Sequence, residues 1–376
     1  MNTSPLQTTA RRQGARRPFP KPRFTLCIVH CALCIVLARG QQFDNGNSAN
    51  RLCSTRTNEE IHESIERGLR FLQRGQQADG NFNSDLSRRV PGIAALAGMA
   101  YLATGHVPGE GEFGDVINKC IDAVLNRADR NKYLGGHDGR MYSHAICTLF
   151  LSEVSGIVDP ERQKRIDDVL PRATKIIIDA QAVPKDVNHK GGWRYNPNST
   201  DSDLSCSGWN LMALRSMRLN GAPVPDLAIS EAVRYTLNRH NSQTGQFGYQ
   251  GNTDYSVTLT GAAILSLALC GAYDNPAIPR GVRYLNSVFR QLPSQDRCFY
   301  GMYYTSQGLF QWGGPEWQAF ADWMYEYWIP RQTPEGGWNR GEENCPYYQT
   351  AMVINAFTVP YRQLPIYQRD ETVDPE

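Results

Sequence analysis

The chain has 376 residues, 41% of them hydrophobic, enough for one large core or two ordinary ones. Its formal charge of +2 hides an asymmetry: residues 1–40 hold seven of the 39 Lys and Arg and none of the 37 Asp and Glu, which leaves the remainder at −5. A mildly acidic body with no basic stripe excludes a nucleic-acid partner.

The first predicted element is a leader. A basic stretch runs into Phe24–Ala38 (FTLCIVHCALCIVLA), an apolar run too short for a bilayer span of roughly 20 residues. That length suits the hydrophobic region of an export signal, and Ala38 and Gly40 supply small residues for cleavage before Gln41. Ala15–Lys21 (ARRPFPK) resembles the twin-arginine export motif, with Pro20 where a leucine is usual. The expectation is an exported protein, periplasmic or extracellular; an uncleaved membrane anchor is the alternative. Residues 41–56 read as a linker, 57–366 as one domain and 367–376 as a tail. Cys27, Cys31 and Cys34 belong to the leader, and the other seven cysteines are widely spread with no CxxC among them. That pattern indicates neither a zinc knuckle nor a dense disulfide framework, and leaves room for one disulfide.

From Leu69 the chain repeats itself. The run LRFLQRGQQADGNFNSDLSRRVPGIAALAGMAYLATG pairs an amphipathic helix with an apolar one across a polar loop. The order returns from Val233 and from Trp323, and in more divergent form over 117–156, 170–221 and 282–317. The first helix of each unit is mixed in polarity, as a solvent-facing helix should be. The second, such as GIAALAGMAYLA, is apolar all round and is expected to be buried. Six such units predict an all-α toroid, six outer helices around six inner ones, with an open superhelix as the alternative.

QADGNF (Gln77–Phe82), QTGQF (Gln243–Phe247), QTPEGGW (Gln332–Trp338) and a stretched copy from Gln181 to Trp193 resemble the QW motif. That repeat marks the prenyltransferase/squalene cyclase superfamily, and the resemblance implies an (α/α)6 toroid acting on, or holding, a hydrophobic isoprenoid. The motif itself is expected to brace outer helices rather than to react.

Asp85, Asp138, Asp201 and Asp254 each stand seven residues before the small residue opening an inner helix, as does Asn344. This position reads as a repeated helix cap. Asp203, aligned with Ser87, Arg140, Ser256 and Pro346, is the extra acid. In squalene–hopene cyclases a DxDD motif protonates the substrate, and DSDL (Asp201–Leu204) carries its first two acids, with Leu204 replacing the last. The resemblance makes Asp203 the candidate acid, although counting back from the following helix puts Ser205 at that place. The zinc site of protein prenyltransferases is not reproduced: DLSC has one residue too many and Gln349 replaces the histidine, so no metal is expected. The glycine-rich pieces lack a phosphate-loop context, and no cofactor is expected.

His144 aligns with Ser207, Thr260 and Thr350 in a polar ring at the inner-helix N-termini, either as a base at the toroid mouth or as a satisfied cap-region histidine. Glu153, in an apolar helix, should be paired or line a pocket. Five of the seven tryptophans fall within 312–338, and Trp312, Trp317 and Trp323 join Trp209, Tyr142 and Tyr255 as candidate binding residues. The alternative for the tryptophans is packing where the ring closes. Three functions follow: a terpene cyclase-like enzyme; a secreted carbohydrate-active enzyme in which Asp203, Asp322, Glu326 and the tryptophans line a polysaccharide groove; or a non-catalytic toroid that binds a ligand, a partner or a membrane surface.

Overall fold

The computed structural model describes residues 51–128, 132–251, 253–340 and 345–367. The leader, the linker up to residue 50, Asn344 and the tail beyond Tyr367 lie outside the described residues. All that is described belongs to one compact unit, Ser48–Glu376.

Among the described residues six outer helices alternate with six inner ones. The outer set is α1 (Asn58–Gly75), α4 (Gly114–Arg127), α6 (Pro160–Ala182), α8 (Asp226–Leu237), α10 (Ala277–Val288) and α12 (Gly314–Trp328). The inner set is α3 (Gly92–Ala103), α5 (Arg140–Val154), α7 (Leu204–Leu219), α9 (Val257–Leu269), α11 (Cys298–Trp312) and α13 (Pro346–Phe357). A short α2 (Asp85–Arg89) precedes α3. Between helices the described residues form short 3-10 turns, such as Phe289–Ser294, and isolated bridges, such as Gln76 with Phe82 and Trp193 with Asp203. Among them no helix is long and apolar enough to cross a membrane.

Thr57 starts α1 with a capping box: its hydroxyl accepts from Glu60 N at 3.2 Å, and Glu60 Oε2 accepts from Thr57 N at 3.0 Å. The inner helices have no such local reason to be helical. α9 (VTLTGAAILSLAL) contains a glycine and several β-branched residues, each costing up to about 1 kcal/mol against alanine. Every residue of α9 is buried, and each large apolar side chain removed from water contributes roughly 1.5–3 kcal/mol. Burial outweighs propensity there. Small residues let the inner helices meet backbone to backbone: a Cβ on Gly261 would stand 2.7 Å from Thr305 N of α11.

The inner helices pack in sequence, α3 on α5, α5 on α7, and onward to α13, which packs back on α3. The ring is closed, and the open superhelix is excluded. Contacts between Gly92 and Ser143, Ser205 and Tyr300, and Thr258 and Gly301 gather the N-terminal ends of these helices at one end of the barrel. The opposite end is covered by the last described segment, where Leu364, Ile366 and Tyr367 are all buried.

The turns after α1, α6, α8 and α12 carry the four motif copies, with two changes of residue. Gln76, not Gln77, reaches across the ring: its Nε2 donates to Val116 O of α4 at 3.1 Å and to Gly80 O at 3.4 Å, whereas Gln77 folds back on Gly75 O. Gln181 donates to Ala228 O of α8 and to Gly191 O, both at 2.8 Å. Gln332 donates to Ser64 O of α1 at 2.8 Å and to Gly336 O at 2.6 Å, which closes the outer ring across 268 residues of chain. In the third copy His240 holds the bridge to Phe247, and Gln243 only helps form the turn around Asn241. The motif glycine explains itself: Gly80, Gly191, Gly245 and Gly336 all have positive φ, and a Cβ on any of them would lie 2.0–2.6 Å from a carbonyl oxygen of the next outer helix. The seven cysteines among the described residues are all free thiols.

Candidate functional site at the N-terminal end of the inner barrel

The repeat builds this end. The backbone N–H of Trp193, Phe247 and Trp338 donates to Ser207 Oγ, Thr260 Oγ1 and Thr350 Oγ1 at 2.9, 3.2 and 2.9 Å. The residues that follow each motif aromatic are thereby held against the start of an inner helix. In the third unit these are Arg194 and Tyr195, and in the fourth Gly248 and Tyr249.

Asp203 sits among them and is the N-cap of α7. Its Oδ1 accepts from Cys206 N at 2.7 Å. Its Oδ2 accepts from Arg194 Nη1 at 3.1 Å, and Tyr142 OH lies 3.5 Å from Oδ1. The side chain is 0% exposed. Burial is the dominant influence on its proton affinity and raises the carboxyl to about 6, against the opposing pull of the Cys206 N–H and the Arg194 charge. Asp201, two residues earlier, is 43% exposed, lies 3.3 Å from Arg194 Nε and accepts from Gln250 Nε2 at 3.1 Å.

The cap expected of Asp201 is therefore made by its neighbour. Asp203 is the cap and Asp201 braces the loop. Asp254 behaves like Asp201, accepting the N–H groups of Tyr249, Gln250 and Gly251, while Ser256 caps α9. In these two units the aspartate is a loop brace because the helix proper starts three residues later, whereas Asp85 opens the short α2 and Asp138 stands two residues before α5.

Aromatic rings surround the carboxylate. Tyr142 of α5 is half-buried and covers it, with the Tyr195 ring 5.8 Å away. The Arg194 guanidinium lies over Tyr195 at 4.3 Å and over Tyr249 at 5.5 Å. From α11, Tyr300 donates to Ser205 O at 3.2 Å and packs 4.7 Å from Tyr304. Trp209 of α7 stacks on Tyr303 at 5.3 Å and meets Tyr304 edge-on at 5.2 Å. Burial first, then the Asp203 charge, pushes the Tyr142 phenol well above its ordinary range, so it stays a neutral donor. Such an arrangement sets one carboxyl beside aromatic ring faces, which are surfaces that stabilise positive charge.

Of the other residues singled out from sequence, only Tyr142 and Trp209 join Asp203 here. His144 is sealed: Nδ1 accepts from Leu134 N at 3.0 Å, and Nε2 is 3.0 Å from Ala173 O of α6. It performs the brace that Ser207, Thr260 and Thr350 perform elsewhere, and both ring nitrogens are used. It is no base at the mouth. Asp322 and Glu326 lie on the outer helix α12, where they accept from Ser54 N and Oγ and from Thr55 Oγ1. The Ser54 bonds hold the Asp322 carboxyl below its usual range although partial burial opposes them.

Trp317 and Trp323 are on that same outer helix, packed against Phe310 and Phe320 and against Phe289 and Tyr327. Trp312 is 42% exposed at the C-terminal end of α11, across the barrel from Asp203. Tyr255 accepts from Asn241 Nδ2 at 2.6 Å in the loop before α9. Trp317 and Trp323 contribute packing and Tyr255 loop structure, while Trp312 stands exposed at the other end, so the four do not line one groove with Asp203. Glu153 is paired at the far end, accepting from Ser216 Oγ at 2.6 Å and from Ile366 N at 3.3 Å, and burial raises its carboxyl to about 7.

Sequence reasoning missed Arg194, Tyr195, Tyr249 and Tyr300. The first three had a signal, since they directly follow QW aromatics and so must face the inner-helix ends. Tyr300 had none beyond its place in an inner helix.

No family model matches the sequence, and no curated protein is significantly similar to it. Solved structures are. The type II terpene cyclase MstE from Scytonema aligns over 81% of this chain and 99% of its own, at 14% identity and a TM-score of 0.52. MstE with its product merosterolic acid A gives 0.54 over 81% of this chain and 98% of its own, also at 14% identity. The alpha-1,6-mannanase of Salegentibacter sp. HEL1_6, an inactive variant in complex with alpha-1,6-mannotetrose, aligns over 80% of this chain and 99% of its own, at 10% identity and a TM-score of 0.58. The fold is an (α/α)6 toroid. At these identities the likeness is one of fold, shared by an enzyme of isoprenoids and an enzyme of polysaccharides, so the toroid alone does not choose between them. Among the described residues no three His, Cys, Asp or Glu side chains group as metal ligands.

Proposed function

We propose that the toroid binds a hydrophobic isoprenoid chain at the aromatic end of its inner barrel, and that Asp203 protonates that chain to start a cyclisation. The observation that carries this reading is a single sealed carboxyl among aromatic rings, its acidity weakened by burial to about 6. A carboxyl of that kind carries its proton in a large fraction of molecules near pH 6, which an exposed aspartate does not. Its O–H proton adds to one alkene carbon, the π pair forms the new C–H bond, and the cation left on the other carbon lies against Tyr142, Tyr300, Tyr304 and Trp209. Loss of a proton from the cyclised cation balances the reaction as an isomerisation. Tyr142 covers the carboxyl, so a bound chain displaces that ring.

The polysaccharide reading lacks support of this kind. Hydrolysis needs two carboxyl groups flanking one bond, and the acid nearest Asp203 among its contacts is Asp201, which shares the same guanidinium. The export leader supports a site of action outside the cytoplasm, and a hydrophobic substrate would be drawn from a membrane surface.

The test is incubation with linear polyprenyl alcohols and squalene, followed by extraction and mass spectrometry. Cyclised product from the natural protein and none from Asp203→Asn, which keeps the helix cap, is the expected result. Product from Asp203→Asn, or binding of mannooligosaccharides with none of polyprenyl chains, would overturn the proposal.

A further inference from the structure

Arg194 is shared by two carboxylates in unlike surroundings. Its Nη1 donates to Asp203 Oδ2 at 3.1 Å, and its Nε lies 3.3 Å from Asp201 Oδ2. The same Nη1 is 3.0 Å from Tyr249 OH, and the guanidinium lies over Tyr195 and Tyr249. Asp201 is 43% exposed and has Gln250 as a second donor, so water replaces Arg194 there at little cost. Asp203 is 0% exposed, and no water reaches it in this arrangement. Losing the guanidinium leaves its charge with one backbone N–H and the Tyr142 hydroxyl. A buried carboxylate deprived of its cation takes up a proton instead of remaining charged.

The other titratable groups around Asp203 are Tyr142 from α5, Tyr300 from α11, Tyr235 from α8, Tyr249 from the loop before α9, and Cys206 on its own helix. Burial pushes each of these up and keeps it neutral. Among charged side chains Arg194 and Asp201 act on Asp203 directly, while Arg239 lies over the Tyr235 ring and Arg140 over the Tyr195 ring. Burial works against the Arg194 cation, but the carboxylates of Asp203 and Asp201 outweigh it.

We propose that Arg194 is a positioning residue that sets how often Asp203 carries a proton, with Asp201 as its alternative anchor. Drawing the guanidinium toward Asp201 arms Asp203 as an acid, and returning it discharges that acid. One proton is taken from solvent in the first movement and given back in the second, and no other reactant is needed. A ligand seated on the Tyr195 and Tyr249 rings competes with the guanidinium for those faces, which couples occupation of the mouth to proton uptake. What the armed acid does rests on the isoprenoid reading above. The control of its proton does not.

The test needs no substrate. The carboxyl of Asp203, assigned by its loss in Asp203→Asn, is titrated by isotope-edited infrared spectroscopy in the full chain and in three variants. Arg194→Gln should raise the midpoint by about 1–3 pH units, the range for losing an adjacent opposite charge. Arg194→Lys should restore most of the natural value. Asp201→Asn should lower it, because it removes a like charge and frees Arg194 for Asp203. An unchanged midpoint in Arg194→Gln, or a midpoint in Asp201→Asn that does not fall, would overturn the proposal. Asp201 is partly exposed, so its variant carries the test if Arg194→Gln fails to fold. With polyprenyl substrate the optimum of the pH–rate profile should move in the same directions. Shifted titrations without product from any protein would keep the control by Arg194 and sink the cyclisation. Product from the natural protein with unmoved titrations would do the reverse.

Discussion

Closure of the outer ring gives a sharp prediction at Gly336. This residue has φ +96°, and a Cβ there would stand 2.6 Å from Arg67 O and 3.1 Å from Arg67 C. Arg67 lies in the middle of α1, so its carbonyl cannot turn aside without breaking helix hydrogen bonds. Gly156 is the control: its φ is +91° and nothing lies within 4 Å of a Cβ. Alanine at Gly156 suffers only the left-handed backbone penalty, about 1–2 kcal/mol. Alanine at Gly336 suffers the same penalty plus an overpacking term of about 1–3 kcal/mol. The turn must also shift away from α1, weakening the Gln332 bonds to Ser64 at 2.8 and 3.0 Å, each contributing about 0.5–1.5 kcal/mol. The expected loss is about 3–5 kcal/mol for Gly336→Ala. Urea unfolding followed by circular dichroism measures both variants. If Gly336→Ala lies within about 0.5 kcal/mol of Gly156→Ala, the turn does not bear on α1 and the account of the motif glycine is wrong.

Other expectations concern the two ends of the barrel. Asp203→Ala removes the cap of α7 and should cost about 0.5–2 kcal/mol, most of it recovered in Asp203→Asn, as read from melting temperatures. Glu153 has its carboxyl raised by burial to about 7 from 4.5, so the folded state binds its proton more tightly than the unfolded chain does. Its contribution is fully present below pH 4.5 and is lost as pH rises to 7, by at most about 3 kcal/mol. Glu153→Gln should flatten that window in a pH series of denaturation midpoints. Trp209→Ala should destabilise the fold by about 3–5 kcal/mol and weaken any ligand of the aromatic end. Trp312→Ser, across the barrel, should leave ligand binding unchanged and stability within about 0.5 kcal/mol in the same assays.

The architecture was legible because it is periodic. Six alternations of mixed and apolar helices call for layers with the apolar members inside, which a ring or an open superhelix would both satisfy, and the packing of α13 on α3 decides for the ring. The site was legible only in part. Two adjacent glutamines, Gln76 and Gln77, fit the motif equally well in sequence, and only the geometry of the turn decides which one faces α4. The cap of α7 was assigned to Asp201 because helices were counted from their first small residue, Gly208, although α7 begins at Leu204. Tryptophans near the ring closure suggested a binding face, yet Trp317 and Trp323 lie on an outer helix and pack against its neighbours. Sequence carries no sign of which way a half-buried aromatic faces. The link between Arg194 and two aspartates seven and nine positions later depends on the loop bending back, which no local pattern encodes.

The brace from Gln332 to Ser64 has a consequence for how such a chain can change through descent. An open array of helix pairs can gain or shed a pair at either end, because its neighbours lose only one interface. Here every pair has two neighbours, the first and sixth included, so removing one leaves two uncovered apolar flanks that five pairs must bend to join. Length variation is therefore expected in the turns, and the stretch from Gln181 to Trp193, longer than the other copies of this turn, runs directly into Arg194.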